Sequence, residues 1–301
     1  MSINLSAFEQ VIEHFQLGQI YDLKPVLLPT LNPAVLMNGH FLIEISIDDK
    51  FENPVYALQL LADLAVPVSR VRHVDNTRQH FPFSVMVIEQ AQGAELYDIW
   101  PGLPPAEQQQ CAFKAGVHLA QCHQQKFSQF GALVDIQNGR ACSRWIEWVD
   151  AKAQWFLMLI EQAHLLPPLL ITQAKHKSSR HIENGKEIKN GVLCHGNFDL
   201  SAILTRRGQV IQMIGFDRAL SADPAWDFRS YRHISKVTPG ALAPLCDGYQ
   251  SINPFDSTFF ERAEFYSLIG EMETLCLARH FGDNDAVSAS VRRFRGLLDS
   301  Q

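Results

Sequence analysis

LCHGNFDLSAIL, residues 193–204, and MIGFDRALSADPAWDF, residues 213–228, decide how this chain is read. A strand ends at His195-Gly196, and the loop after it carries Asn197 and Asp199. Ile203-Leu204 and Val210-Ile211 then make a short hairpin, with Arg206-Arg207-Gly208 as its turn. Ile214-Gly215-Phe216 follows, with Asp217 behind it, and Asp223-Pro224-Ala225-Trp226-Asp227-Phe228 closes the block. An amide at 197 accepts a hydrogen bond from a hydroxyl but cannot take its proton at neutral pH. Ala202 and Gly215 offer no side-chain oxygen at all. If 215–217 is extended, residues two apart share a face, so Asp217 looks the same way as Gly215. Asp199 reads as a loop side chain bonded to its own backbone.

Around this block lies an ordinary globular chain of 301 residues, 47% hydrophobic and 19% charged. Its net charge of −6 gives no reason to expect nucleic acid or an anionic membrane as partner. No run approaches the roughly 18 apolar residues of a spanning helix. MSINLSAFEQVIEHF lacks the basic start of a signal peptide. Six scattered cysteines with no Cys-x-x-Cys pair predict reduced thiols in a cytoplasmic protein. The twelve histidines form no metal-binding spacing, and Cys122-His123 reads as the core-facing end of a helix.

The periodicity predicts a short amphipathic helix over 1–17, with Phe8, Val11, Ile12 and Phe15 at helical spacing. Strand-like segments follow at Val26-Leu27-Leu28, Val35-Leu36-Met37 and 41–47, with Asn38-Gly39 as the hairpin turn between the last two. A helix over about 53–64 has Pro54 in its first turn and Tyr56, Leu60 and Leu61 on one face. Val66-Pro67-Val68 ends it, and Phe83–Ile88 is a further strand leading into Glu89–Gly93. Helices are expected over 107–124, 145–165, 259–280 and 284–298. Lys175–Asn190, with Asn184-Gly185, reads as a solvated connection. No internal repeat is present.

The order His-Gly, hairpin, Ile-x-Phe and Asp-Pro-x-x-Asp resembles the aminoglycoside phosphotransferase and choline kinase group. That resemblance implies an α+β, two-lobed protein-kinase-like fold. A small β-rich lobe would span 1–90 and a larger helical lobe 91–301, with 89–93 as the hinge. In the group an Asp stands at position 197 as general base or acceptor-positioning residue. An Asn at 202 and an Asp at 215 hold magnesium against the phosphates, and a lysine on the third strand reaches them. Here those positions are Asn197, Ala202, Gly215 and Glu44, and Pro54 takes the place of the helix Glu that partners the lysine. A carboxylate for a cation would repel triphosphate by several kcal/mol at ~4 Å. Leu31-Asn32-Pro33-Ala34, where a Gly-rich turn is expected, has no glycine. Glu89 and Ala91 take nucleotide-cleft positions. His195, Asp223 and Asp227 would brace the loop.

The resemblance therefore implies a degenerate member, a pseudokinase that binds a small molecule or a partner protein, with no cofactor expected. The alternative is an active ATP-dependent phosphotransferase on a small-molecule hydroxyl, with Asp217 or Asp199 as displaced carboxylates and magnesium on Asp217. A third reading is acid–base chemistry in the same cleft by His195, Asp199 and Asp217.

Overall fold

The computed structural model describes residues 5–26, 32–48, 50–184 and 188–299. The first helix, α1, is Leu5–His14, and it buries Phe8, Val11 and Ile12, the expected i, i+3, i+4 stripe. Five strands follow: β1 Leu23–Val26, β2 Ala34–Met37, β3 Phe41–Ser46, β4 Arg70–Asp75 and β5 Ser84–Glu89. They form an antiparallel sheet in the order β1-β2-β3-β5-β4. Asn38 and Gly39 have φ of 53° and 66°, the pair of left-handed residues that a tight primed turn needs. Helix α2, Glu52–Ala62, lies between β3 and β4 and buries Pro54, Ala57, Leu58 and Leu61. Its buried face is thus turned from the expected one: Tyr56 and Leu60 are only half-buried. Leu27, Leu28, Leu31 and Gly185 lie outside the described residues.

The chain packs as two compact units. The first takes residues 1–125, 195–219 and 238–253, the second 126–194, 220–237 and 254–301. In the first, α1 and one face of the five-stranded sheet enclose Val35, Met37, Ile43, Ile45, Phe81, Phe83, Val85 and Val87. The helix Pro105–Cys122 buries Ala112, Ala115, Leu119 and Cys122, the stripe read from the sequence. It crosses the helix Leu242–Gln250 closely enough that Gly116 and Gly248 leave no room for a Cβ against the opposite backbone. The hairpin Ile203–Arg206/Gln209–Met213 adds the short strand Ala94–Glu95 as a third member.

The second unit is built on the helices Trp145–Gln162, Pro168–Asn184, Phe259–His280 and Asn284–Asp299. It also holds a four-stranded sheet of short strands containing Gly191–Cys194 and Leu220–Ala222. Trp145, Trp148, Trp226 and Tyr266 pack edge-to-face and stacked at its centre. The stretch expected as a solvated connection is helical as far as Asn184. Leu170, Ile171, Ala174 and Ser178 are buried at helical spacing, while Lys175 and His176 between them are exposed and Lys177 is half-buried, donating to the Leu297 carbonyl at 2.7 Å. All six cysteines are free thiols. Among the described residues no helix is long and apolar enough to cross a membrane.

Candidate functional site

Residues 212–219 are the hub of the site, because each backbone turn in that segment is hooked to another element of the first unit. The Gln212 side-chain oxygen accepts the Ala91 N–H at 2.8 Å. Met213 N–H donates to the Pro67 carbonyl at 2.7 Å, and Ile214 N–H to the Ala202 carbonyl at 2.9 Å. The Ile214 carbonyl in turn accepts from His195 Nε2 at 2.7 Å. Asn53, in the first turn of α2, donates its amide to the carbonyls of Asp217 and Ala219 at 3.2 and 2.9 Å. The Asn197 N–H and Gly215 thereby meet one imidazole, and Ala202 is tied to it through Ile214.

His195 is 1% exposed and its ring is fixed from both sides. The Ile214 carbonyl can only accept, so Nε2 carries hydrogen; Asn197 N–H donates to Nδ1 at 3.3 Å, so Nδ1 presents its lone pair. Phe216 packs on the ring with centroids 4.7 Å apart. Gly215 has φ +83°, and a Cβ there would meet His195 Cε1 and Nε2 at 3.7 and 3.8 Å, ordinary contact. A side chain at 215 would therefore have space over the imidazole but would sit in a backbone conformation that most residues avoid. Asn197 is exposed, and Gly196 just before it has φ +84°.

Asp199 caps the short 3₁₀ turn Leu200–Ala202: its Oδ1 accepts the Ser201 N–H at 2.7 Å and the Ser201 hydroxyl at 2.5 Å. That carboxylate is engaged in shaping the loop. Asp217 lies in the 3₁₀ turn Phe216–Arg218 and is partly buried. Burial raises its pKa, against the opposing pull of its own backbone, His195 and Arg218. A metal ligand must be deprotonated, so the same burial works against Asp217 as one.

Glu44 is 2% exposed on β3, in register with Ala34 and Met86, and its Oε1 accepts from Asn32 Nδ2 at 2.8 Å. Glu89, at the end of β5, pairs with Arg72 at 3.2 Å. Gly93 lies against the hairpin, where a Cβ would stand 2.8 Å from both the Thr205 carbonyl oxygen and Ile211 Cδ1. The side chains on hand do not suit magnesium triphosphate: Ala202 and Gly215 have no oxygen to give, and Glu44 brings a carboxylate to the strand position where the resemblance implies a cation.

Asp223 and Asp227 belong to the second unit and are buried at 0% and 1%. Asp223 accepts from Arg262 Nε at 2.6 Å, Tyr266 Oη at 2.8 Å and the Ala225 N–H at 3.1 Å. Trp145 Nε1 donates to Tyr266 Oη at 2.7 Å, which fixes the phenol that faces Asp223. His123, in the first unit, is 2% exposed, and its Nδ1 lies 2.8 Å from Tyr249 Oη. Sequence reasoning missed Asn53 and Gln212. The only signals were an amide just ahead of Pro54 and one polar residue in an otherwise apolar strand, Val210–Met213.

The model of a phosphotransferase enzyme family, APH, matches residues 48–262, more than two thirds of the chain. A search of curated proteins finds no match. Among solved structures the chain is similar to a thermostable mutant of aminoglycoside phosphotransferase APH(4)-Ia in its apo form. The identity is 17%, with 97% of this chain and 98% of that one covered, at a TM-score of 0.73. It is similar also to APH(2")-IIa in a gentamicin complex, at 14% identity, 100% and 98% coverage and a TM-score of 0.73. A GDP and kanamycin complex of APH(2")-IIia gives 15% identity, 98% and 98% coverage and a TM-score of 0.74. The fold is thus the α+β, two-lobed protein-kinase-like one, with a β-sheet N-terminal region and a helical C-terminal region. With His195-Gly196, Ile214-x-Phe216 and Asp223-Pro224-x-x-Asp227 inside the matched span, the chain belongs to the phosphotransferase enzyme family.

Proposed function

We propose that this family member has lost phosphoryl transfer and keeps its frame for binding, as a pseudokinase whose ligand is a small molecule. The observation that carries the reading is that Asn197, Ala202 and Gly215 belong to one loop frame bonded through His195 and Ile214. The resemblance implies a base and two metal ligands at these positions, and none of the three side chains supplies a carboxylate. Phosphoryl transfer depends on positioning and on charge stabilisation around the metal, so these losses strike its main contributions. Asp199 is held by Ser201, and Asp217 is pushed toward its protonated form by burial. A lobe boundary at 90/91 and a cytoplasmic location are part of the same proposal. Neither magnesium nor ATP has a role in it.

Structural neighbours hold gentamicin, or ADP with hygromycin B, which makes a polar small molecule the first class to test. A second reading keeps activity: Asp217 lies in the turn just after Gly215, near His195 and Arg218, and so could carry the metal from a displaced position. Phosphate transfer to an aminoglycoside, choline, sugar and amino-alcohol panel separates the two. The wild type and Asp217→Ala are compared alongside melting curves with millimolar ATP, with and without magnesium. The expected result is no turnover and no magnesium-dependent rise in Tm, although a ligand at 100 times its Kd would add ~2.7 kcal/mol. Turnover in the wild type that vanishes in Asp217→Ala would overturn the proposal.

A further inference from the structure

The last turn of α1 brings His14 against the segment that joins β4 to β5. The His14 and His80 rings lie 4.6 Å apart between centroids, tilted by 46°. Phe15 and Phe81 flank His14 with centroids 4.9 and 5.2 Å away. Both imidazoles are exposed, whereas Val11, Ile12 and Phe81 beside them are buried and fix where they stand. A carboxylate stands behind His80: Asp75 Oδ2 is 3.5 Å from His80 Nδ1, with the Asp75 side chain 10% exposed and that of His80 57%. Asp75 is itself oriented, since its Oδ1 accepts the Thr77 N–H at 2.8 Å and the Thr77 hydroxyl at 2.6 Å.

A histidine whose Nδ1 faces an oriented carboxylate offers Nε2 as a ligand, and such a carboxylate–imidazole pair is how protein sites orient a ligating histidine. Two imidazoles sharing one ion at nitrogen–metal distances of about 2.0–2.1 Å place their ring centres roughly 5 Å apart. The spacing found, 4.6 Å, lies close to that. We propose that His14 and His80, with Asp75 behind His80, bind a divalent transition ion of the kind that imidazole prefers, zinc being the probe of choice. Two protein nitrogens leave the remaining coordination positions to water. Imidazole suits zinc, copper and nickel and does not suit magnesium, so this site is chemically distinct from any phosphate-linked metal. The ion ties the C-terminal end of α1 to the β4–β5 connection and so fastens the helix onto the sheet.

The test is zinc calorimetry on the tag-free, full-length chain, comparing wild type with His14→Gln, His80→Gln and Asp75→Asn, and with His233→Gln as control. One ion per chain binds the wild type in the micromolar range. Each histidine variant loses tenfold or more in affinity, Asp75→Asn loses about 10- to 100-fold, and the control is unchanged. Because His14 and His80 are exposed, their variants fold, which circular dichroism checks. Zinc raises the Tm of the wild type and leaves that of His14→Gln where it was. Equal affinity in the wild type and both histidine variants overturns the proposal, as does the absence of saturable zinc heat in the wild type.

Discussion

Replacing Asp223 by alanine removes the acceptor at the centre of the second unit and leaves a buried guanidinium behind. Arg262 holds Asp223 through Nε at 2.6 Å and Nη2 at 3.3 Å, with side-chain exposures of 4% and 0%. Breaking a buried pair by removing one partner costs about 3–5 kcal/mol, because the remaining charge stays desolvated. Two further losses accompany it: the Ala225 N–H loses its cap, worth about 1 kcal/mol, and Tyr266 Oη loses its acceptor. One contact opposes them. Arg262 keeps Asp256 at 2.8 Å, on a side chain 35% exposed, and the Thr258 hydroxyl at 2.7 Å. The expected destabilisation of Asp223→Ala is therefore about 4 kcal/mol, or roughly 10 °C in Tm. Asp223→Asn keeps an acceptor for Ala225 and loses the charge, so it falls at about half that. Urea unfolding followed by circular dichroism reads the values, and the double variant Asp223→Ala/Arg262→Met supplies the control. Removing both charges costs about 2 kcal/mol less than the sum of the single changes if the pair is coupled as described. A single-variant loss under about 1 kcal/mol, or strict additivity, refutes the argument.

Gly116→Ala and Gly248→Ala each drive a methyl into the opposite helix, against the Leu245 and Phe113 carbonyls respectively. Each costs about 2–3 kcal/mol by overpacking, and the pair together costs less than the sum, because one separation of the helices relieves both; chemical denaturation of the three variants decides it. His181 stacks on Phe265 at 3.8 Å, and burial lowers its pKa to about 4, with Asp223 opposing and Arg262 adding to the shift. A depressed folded pKa means that stability is full above about pH 6.5 and falls as the pH drops toward 4. Because the ring is partly exposed, the loss is about 1–2 kcal/mol rather than the ~3 of the full span. His181→Leu flattens that portion of the pH profile, and parallel profiles for wild type and variant contradict the assignment.

The signature block was legible because its elements are local and constrained by backbone geometry. Gly196 and Gly215 both adopt positive φ, and the hairpin turn at Arg207-Gly208 does so at two successive residues. The small sheet was half legible. Asn38-Gly39 announced its turn, but β4 reads RVRHVD, polar on both faces, and no apolar alternation marks it. The helix Pro168–Asn184 was hidden by composition, because KHKSSRH reads as a solvated linker. Its signal lay in the spacing of Leu170, Ile171, Ala174 and Ser178, which overlaps the start of that polar run. Asn53 and Gln212 could not be found from sequence, since each acts on a carbonyl or an amide that only the folded chain brings near.

The bonds that shape the loop do not depend on carboxylates at positions 197, 202 or 215. Ile214 N–H to Ala202 O, His195 Nε2 to Ile214 O and Asn197 N–H to His195 Nδ1 use backbone groups and one imidazole. None uses the side chain at 197, 202 or 215. The loop's conformation is therefore set by His195 and by the glycines that permit positive φ, while chemistry would be set by three side chains that the fold does not require. Asp199 shows the same separation, since its carboxylate supports the turn Leu200–Ala202 through Ser201. A frame specified by the main chain keeps its shape whichever side chains it presents. That is why His195-Gly196, Ile214-x-Phe216 and Asp223-Pro224 identify the family here and do not by themselves specify an activity.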